Sequence, residues 1–116
     1  METVQEYLNK IGSEVLLTAE EENALLTQAI NGDEDALNKI IGANRRFVAG
    51  VANQYQNRGL SLLELITASE QGLTNAVMES ASRPQDDRFI QFAIPYMRKA
   101  IEEAILALDE NNKQKG

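Results

Sequence analysis

Cysteine and histidine are both absent from this sequence. Without cysteine there is no disulfide, no thiolate nucleophile and no thiolate zinc site. Without histidine the commonest metal ligand and the side chain that titrates nearest neutrality are missing as well. Neither a nucleophile–base pair nor a metal constellation is offered by what remains, so the reading is a protein that is not an enzyme and uses no cofactor and no metal. Positive charge is scarce too: 11 Lys+Arg face 18 Asp+Glu, for a formal charge of −7. That balance repels the phosphate backbone that supplies most nucleic-acid affinity, and it disfavours autonomous duplex binding. Long apolar runs are also lacking. No stretch approaches the roughly 20 residues needed to cross a bilayer. The opening METVQEYLNK has neither the basic flank nor the apolar run of a signal peptide. The expectation is a cytoplasmic protein with no membrane partner. No β-alternation persists for more than a few residues, which leaves the helix as the building unit.

What is present suits one helical domain. A chain of 116 residues with 43% hydrophobic and 25% charged residues has ordinary globular composition and room for one core. Val4, Tyr7, Leu8 and Ile11 form the stripe of a short helix ended by Gly12, and Ser13–Leu17 reads as a connector. Thr18-Ala19-Glu20-Glu21 is a capping box opening a second helix that runs to about Ile30, where Asn31-Gly32 closes it. The acidic triplet Glu20–Glu22 is explained by capping and the helix dipole, without a metal. Asp33 caps a third and longest helix, expected over Asp33–Gln56 with a bend near Gly42. Ser61-Leu62-Leu63-Glu64 repeats the capping box and opens a fourth, to about residue 79.

A loop containing Ser82 and Pro84 precedes a fifth helix, for which Asp86 or Asp87 is the expected cap. Inside it Pro95 removes a backbone donor, so a kink or break is expected near Phe92–Pro95. The fold class is all-α, a compact bundle of about five helices over residues 1–108, followed by a polar C-terminal tail, 109–116, expected to fray. Phe47, Val51, Leu65, Ile66, Leu73 and Ile101 are the expected common core.

The words inside these helices carry a resemblance. VQEYLNKIG, LLTAEEE, INGDEDALNKIIGANRRFV, VANQYQNRGLSLLELI, QGLTNAV and YMRKAIEEAI resemble, in that order and over about residues 4–105, the second domain of bacterial primary sigma factors. The resemblance implies a helical bundle whose fourth helix faces the clamp of core RNA polymerase and whose fifth faces promoter DNA. In the family the docking helix typically reads D-L-I-Q-E-G-N-x-G-L. This chain has Glu64-Leu65-Ile66-Thr67-Ala68-Ser69-Glu70-Gln71-Gly72-Leu73 there. Carried over residue by residue, the polymerase-binding set is Glu64, Leu65, Thr67, Ala68 and Glu70; the acidic position survives as Glu64, while the family's Gln, Glu and Asn have become Thr67, Ala68 and Glu70.

The family's promoter-melting segment runs roughly F-S-T-Y-A-x-W-W-I-R-Q-A-I, because an extruded base needs a flat partner. Here Phe89 and Phe92 keep aromatic character, Tyr96 stands for one Trp, and Pro95 for the other. The base-reading Gln and the Thr one turn later fall on Lys99 and Glu102. Asn44 and Arg46 fall on positions near single-stranded promoter DNA. The implied DNA-binding set is therefore Asn44, Arg46, Phe92, Tyr96, Arg98 and Lys99. Against it, Arg88, Arg98 and Lys99 face Asp86, Asp87, Glu102, Glu103, Asp109 and Glu110, a net of −3 over residues 86–110. Arg98 and Lys99 also have Glu102 and Glu103 one turn on, so intrahelical ion pairs are expected. Two readings stay open: a sigma-like initiation protein that associates with core RNA polymerase and engages promoter DNA weakly, or a sigma mimic that binds the polymerase clamp or an anti-sigma protein without reading DNA.

Overall fold

Side-chain caps decide where most of the helices begin. In a computed structural model describing residues 2–84 and 87–115, α1 (Val4–Ile11) starts at Thr3, whose hydroxyl accepts the Glu6 N–H at 3.1 Å. Helix α2 (Ala19–Ile30) opens on the complete Thr18–Glu21 box, both bonds 3.1 Å, and closes at Gly32 with φ 101. Asp33 caps α3 (Glu34–Ala43) by accepting from Ala36 N–H at 3.1 Å. The Ser61–Glu64 box opens α5 (Leu62–Glu79). A single 3-10 turn, Ser80–Ser82, follows.

The all-α expectation holds, but the described residues form six α-helices rather than five. The expected long helix is two, α3 and α4 (Arg45–Asn53), separated at Asn44 with φ −117 and ψ 10. The asparagine causes the break. Its side-chain amide donates to Ile40 C=O at 2.8 Å, occupying the carbonyl that its own backbone N–H would take in a helix. That N–H bonds Ile41 C=O instead. The bend expected at Gly42 is thus a break two residues later, and α4 stops at Asn53, short of Gln56.

The cap of the last helix also differs from expectation. Asp86 lies outside the described residues, and the neighbouring cap is not Asp87. Helix α6 (Phe89–Lys115) is closed at its start by Glu22 from α2, which accepts the Phe89 N–H at 3.1 Å and two bonds from the Arg88 guanidinium at 3.3 Å. Gln91 completes the arrangement by accepting the Arg88 N–H at 3.1 Å. No break occurs at Pro95, which sits inside a continuous helix. The polar residues after Leu108 continue α6 to Lys115.

Helices α5 and α6 pair along the middle of the fold, and their backbones meet at Gly72. A Cβ there would stand 2.5 Å from both Met97 Cα and Tyr96 O. Around this contact Leu65, Leu73, Val77, Met97 and Ile101 are fully buried, with Val48 from α4 and Phe89 from the start of α6. Val51, Leu65, Ile66, Leu73 and Ile101 share the core as expected; Phe47 does not, being 40% exposed. Periodicity assigned Phe47 to the core because it lies four residues before Val51, but the buried stripe of α4 runs through Val48, Val51 and Ala52 and leaves Phe47 at its edge. Among the described residues no helix is long and apolar enough to cross a membrane.

Candidate functional site

Two surfaces carry the residues singled out from the sequence. The first is the outer face of α5. Glu64 is exposed, yet its carboxylate is engaged in the capping box, accepting the Ser61 N–H at 3.0 Å, and that bond holds its pKa below the ordinary carboxylate range. Thr67 is exposed and donates to Leu63 C=O at 2.9 Å, while Ala68 is half-buried. Leu65 belongs to the core and offers nothing to a partner. Glu70, half-buried, accepts from the Tyr7 hydroxyl at 3.4 Å. Burial first, and the Glu70 carboxylate second, push the Tyr7 pKa up, so this phenol stays protonated and keeps donating. Glu2, Tyr7, Leu63, Ile66, Thr67 and Glu70 line a shallow groove of about 290 Å³ between α1 and α5. α5 therefore shows a partner a threonine, a carboxylate and a small apolar step, with no cation on that strip.

The second surface combines α4 and α6. Asn44 is buried and its side-chain amide is bonded to Ile40 C=O. Arg46 is exposed, next to Phe47. Leu16, Leu17, Ala43, Phe47 and Ile90 line a groove of about 310 Å³ bordered by Arg88 and Glu22. On α6, Phe92 and Tyr96 pack with ring centroids 5.0 Å apart at 41°. The Tyr96 hydroxyl donates to Glu79 at 2.7 Å, and that bond raises its pKa. Phe89, the third aromatic of the segment, is fully buried and unavailable for stacking.

Lys99 shares a groove of about 260 Å³ with Tyr96, Glu79 and Glu103. The expected Arg98–Glu102 and Lys99–Glu103 ion pairs do not form among the described residues; the pairs present are Lys10–Glu2, Arg45–Glu14 and Arg88–Glu22. Glu102 instead accepts from the Tyr55 hydroxyl at 3.4 Å. Arg98 and Lys99 are exposed cations with acidic neighbours at a distance. Among the described residues no cluster suited to a metal ion occurs.

Sequence reasoning passed over three features of these surfaces. Val15 and Leu16, in the connector between α1 and α2, are each 74% exposed. The Glu22–Arg88 clasp joins residues 66 apart in sequence, and no local pattern announces it. The Glu14–Arg45 pair, at 3.7 Å, is equally remote in sequence.

No protein-family model matches the chain. Among curated proteins it is 37% identical over 102 residues to the RNA polymerase sigma factor SigA of a Bacillus species, an alignment covering 88% of this chain and 27% of that protein. It is 38% identical over 102 residues to the RNA polymerase sigma factor RpoS of Coxiella burnetii, covering 88% of this chain and 29% of that protein. The chain thus spans less than a third of the length of either relative. Across nearly all of its own length, this chain is similar to one segment of each of these RNA polymerase sigma factors.

Proposed function

We propose that the chain is a sigma-like transcription initiation protein, cytoplasmic and non-enzymatic, which associates with the clamp region of core RNA polymerase through α5. The observation that carries this reading is the division of α5 into two faces. Leu65, Leu73, Ala76 and Val77 are committed to the core, while Glu64, Thr67, Ala68 and Glu70 stand toward solvent, with Glu70 held by Tyr7. The kinship to SigA and RpoS supports polymerase as the partner.

A second reading is favoured by specific observations on α6: the protein acts as a sigma mimic, binding the polymerase clamp or an anti-sigma protein without reading DNA. Phe89 and Asn44 are buried, Tyr96 is tied to Glu79, and Lys99 faces Glu103. Loss of a stacking partner removes about 1–3 kcal/mol per base, and lost edge contacts a similar amount. The two or three exposed cations cannot restore this at physiological salt in a chain of charge −7.

One experiment separates the readings. Purified core polymerase is captured on the unmodified protein and on Thr67→Arg, and a single-stranded promoter segment is titrated alongside. The expected result is capture by the unmodified protein, at least about tenfold weaker capture by Thr67→Arg with unchanged melting, and DNA binding no tighter than micromolar. Undiminished capture by Thr67→Arg removes α5 as the docking face. Sub-micromolar, sequence-selective DNA binding at about 150 mM salt restores full promoter recognition.

A further inference from the structure

The connector between α1 and α2 contains a carboxylate that the fold leaves without a donor. The Glu14 side chain is 4% exposed, and both of its oxygens expose less than 1 Å² and make no hydrogen bond. Its nearest countercharge, Arg45 Nη1 in the first turn of α4, stands at 3.7 Å, beyond hydrogen-bond reach. The guanidinium packs beside Gly42, whose lack of a side chain leaves it room, and lies over the Tyr7 ring at 6.0 Å. A cavity of about 390 Å³ lined by Val15, Leu17, Lys39, Gly42 and Ala43 opens beside Glu14. The smallest species that relieves a buried, donor-less carboxylate is a proton.

We propose that Glu14 is a proton-operated latch: protonation seats the connector against the first turn of α4, and ionisation at neutral pH loosens it. Burial raises the Glu14 pKa; against it the Arg45 and Arg46 charges on α4 and the Arg45 backbone N–H at the start of that helix favour the ionised form, Lys39 on α3 lines the adjoining cavity, and Tyr7 on α1 stays neutral. Burial outweighs the two arginines and this N–H, which stands too poorly placed for a formed hydrogen bond, so the Glu14 pKa lies above the ordinary glutamate value. The folded state binds this proton more tightly than the unfolded state, so seating is complete below the ordinary glutamate pKa and is lost as pH rises through the raised value. What the latch controls is the presentation of Val15 and Leu16, the most exposed large apolar residues described.

The test uses the full chain, unmodified and as Glu14→Gln, which keeps the size of the side chain and removes its charge. Thermolysin cleavage before Val15, Leu16 or Leu17 is followed at about pH 5 and about pH 8, each rate divided by that of Glu14→Gln under the same conditions. The expected ratio is near one in acid and rises by up to about tenfold at the alkaline end for each unit by which the pKa is raised. Carbon-13 NMR of the Glu14 carboxyl in the unmodified protein is the second measurement, with a midpoint expected above the ordinary glutamate value. A ratio independent of pH overturns the proposal, as does a Glu14 midpoint at or below the ordinary value. If Glu14→Gln fails to fold, the carboxyl titration decides alone.

Discussion

The same substitution, glycine to alanine, is expected to act in opposite directions at two positions of this fold. In a helix interior the change gains about 1 kcal/mol, because alanine loses less backbone freedom on folding. Gly50, on the exposed side of α4, has nothing within 4 Å of a built Cβ, so that gain is realised there. At Gly72 the Cβ falls 2.5 Å from Met97 Cα and Tyr96 O and 2.8 Å from Met97 N, short of ordinary contact at 3.4 Å by up to roughly 0.9 Å. All three obstacles are backbone, so no side-chain rotation relieves them. Helices α5 and α6 must separate, and a gap of about 0.5–1 Å forfeits a quarter to a half of each dispersion contact along the seam. Overpacking typically costs about 1–3 kcal/mol, and a backbone clash belongs at the upper end, which leaves Gly72→Ala a net loss of about 2 kcal/mol after the propensity gain. Urea denaturation followed by circular dichroism measures both variants. The packing of α5 on α6 described here is refuted if Gly72→Ala is as stable as the unmodified protein, or if both substitutions move stability the same way.

Other consequences are equally direct. Glu22→Ala orphans the buried Phe89 N–H and releases Arg88, and should cost about 2–4 kcal/mol in the same denaturation assay; a neutral result would mean that the clasp does not cap α6. Phe47→Ala, at a 40% exposed position, should cost under about 1 kcal/mol, whereas Ile101→Ala, fully buried, should cost about 2–5 kcal/mol. Equal costs would place Phe47 back in the core. The Thr18 and Ser61 caps hold the Glu21 and Glu64 carboxyls below their ordinary pKa, so this stabilisation is present above the ordinary glutamate value and fades as pH falls through the lowered ones. Thr18→Ala and Ser61→Ala should each lose about 1 kcal/mol through the missing cap hydroxyl, whereas Glu21→Gln and Glu64→Gln, which remove the titrating carboxyls, should show shallower acid unfolding, read from melting temperature against pH.

Legibility in the sequence followed the range of the interaction. Helix starts set by side chains three residues away, at Thr18, Asp33 and Ser61, were visible because both partners lie within one turn. So was the close of α2 at Gly32, where only the backbone angle matters. The break at Asn44 is local too, but an asparagine inside an apolar period is equally compatible with a continuous helix, and only its bond to Ile40 distinguishes the two. The cap of α6 was illegible for a different reason. Asp87 stands next to the helix start in sequence, while the group that performs the task, Glu22, lies on another helix. Pro95 shows the converse case. A local penalty of about 3 kcal/mol predicted a break, and the continuous seam of α6 against α5 overrides it.

The candidate site was less legible than the fold because a residue-by-residue resemblance conveys position along the chain but not the direction of a side chain. Leu65 sits within the docking stretch and Asn44 within the DNA-side stretch, yet both point inward. What remains outward separates by chemistry. On α5 the outward groups are Glu64, Thr67 and Glu70, a strip without a cation, suited to a basic protein surface. On α4 and α6 the exposed cations are Arg46, Arg98 and Lys99, and Lys99 shares its groove with Glu79 of α5 and Glu103. A strand of phosphates needs cations in register along its path, and each intervening carboxylate subtracts from the counterion release that drives binding. Acidic substitutions of the same kind on α5 would cost nothing against a basic protein partner. The charge excess thus weakens the proposed DNA-side surface and spares the proposed docking face, and this is the chemical argument for the proposed protein docking over DNA reading.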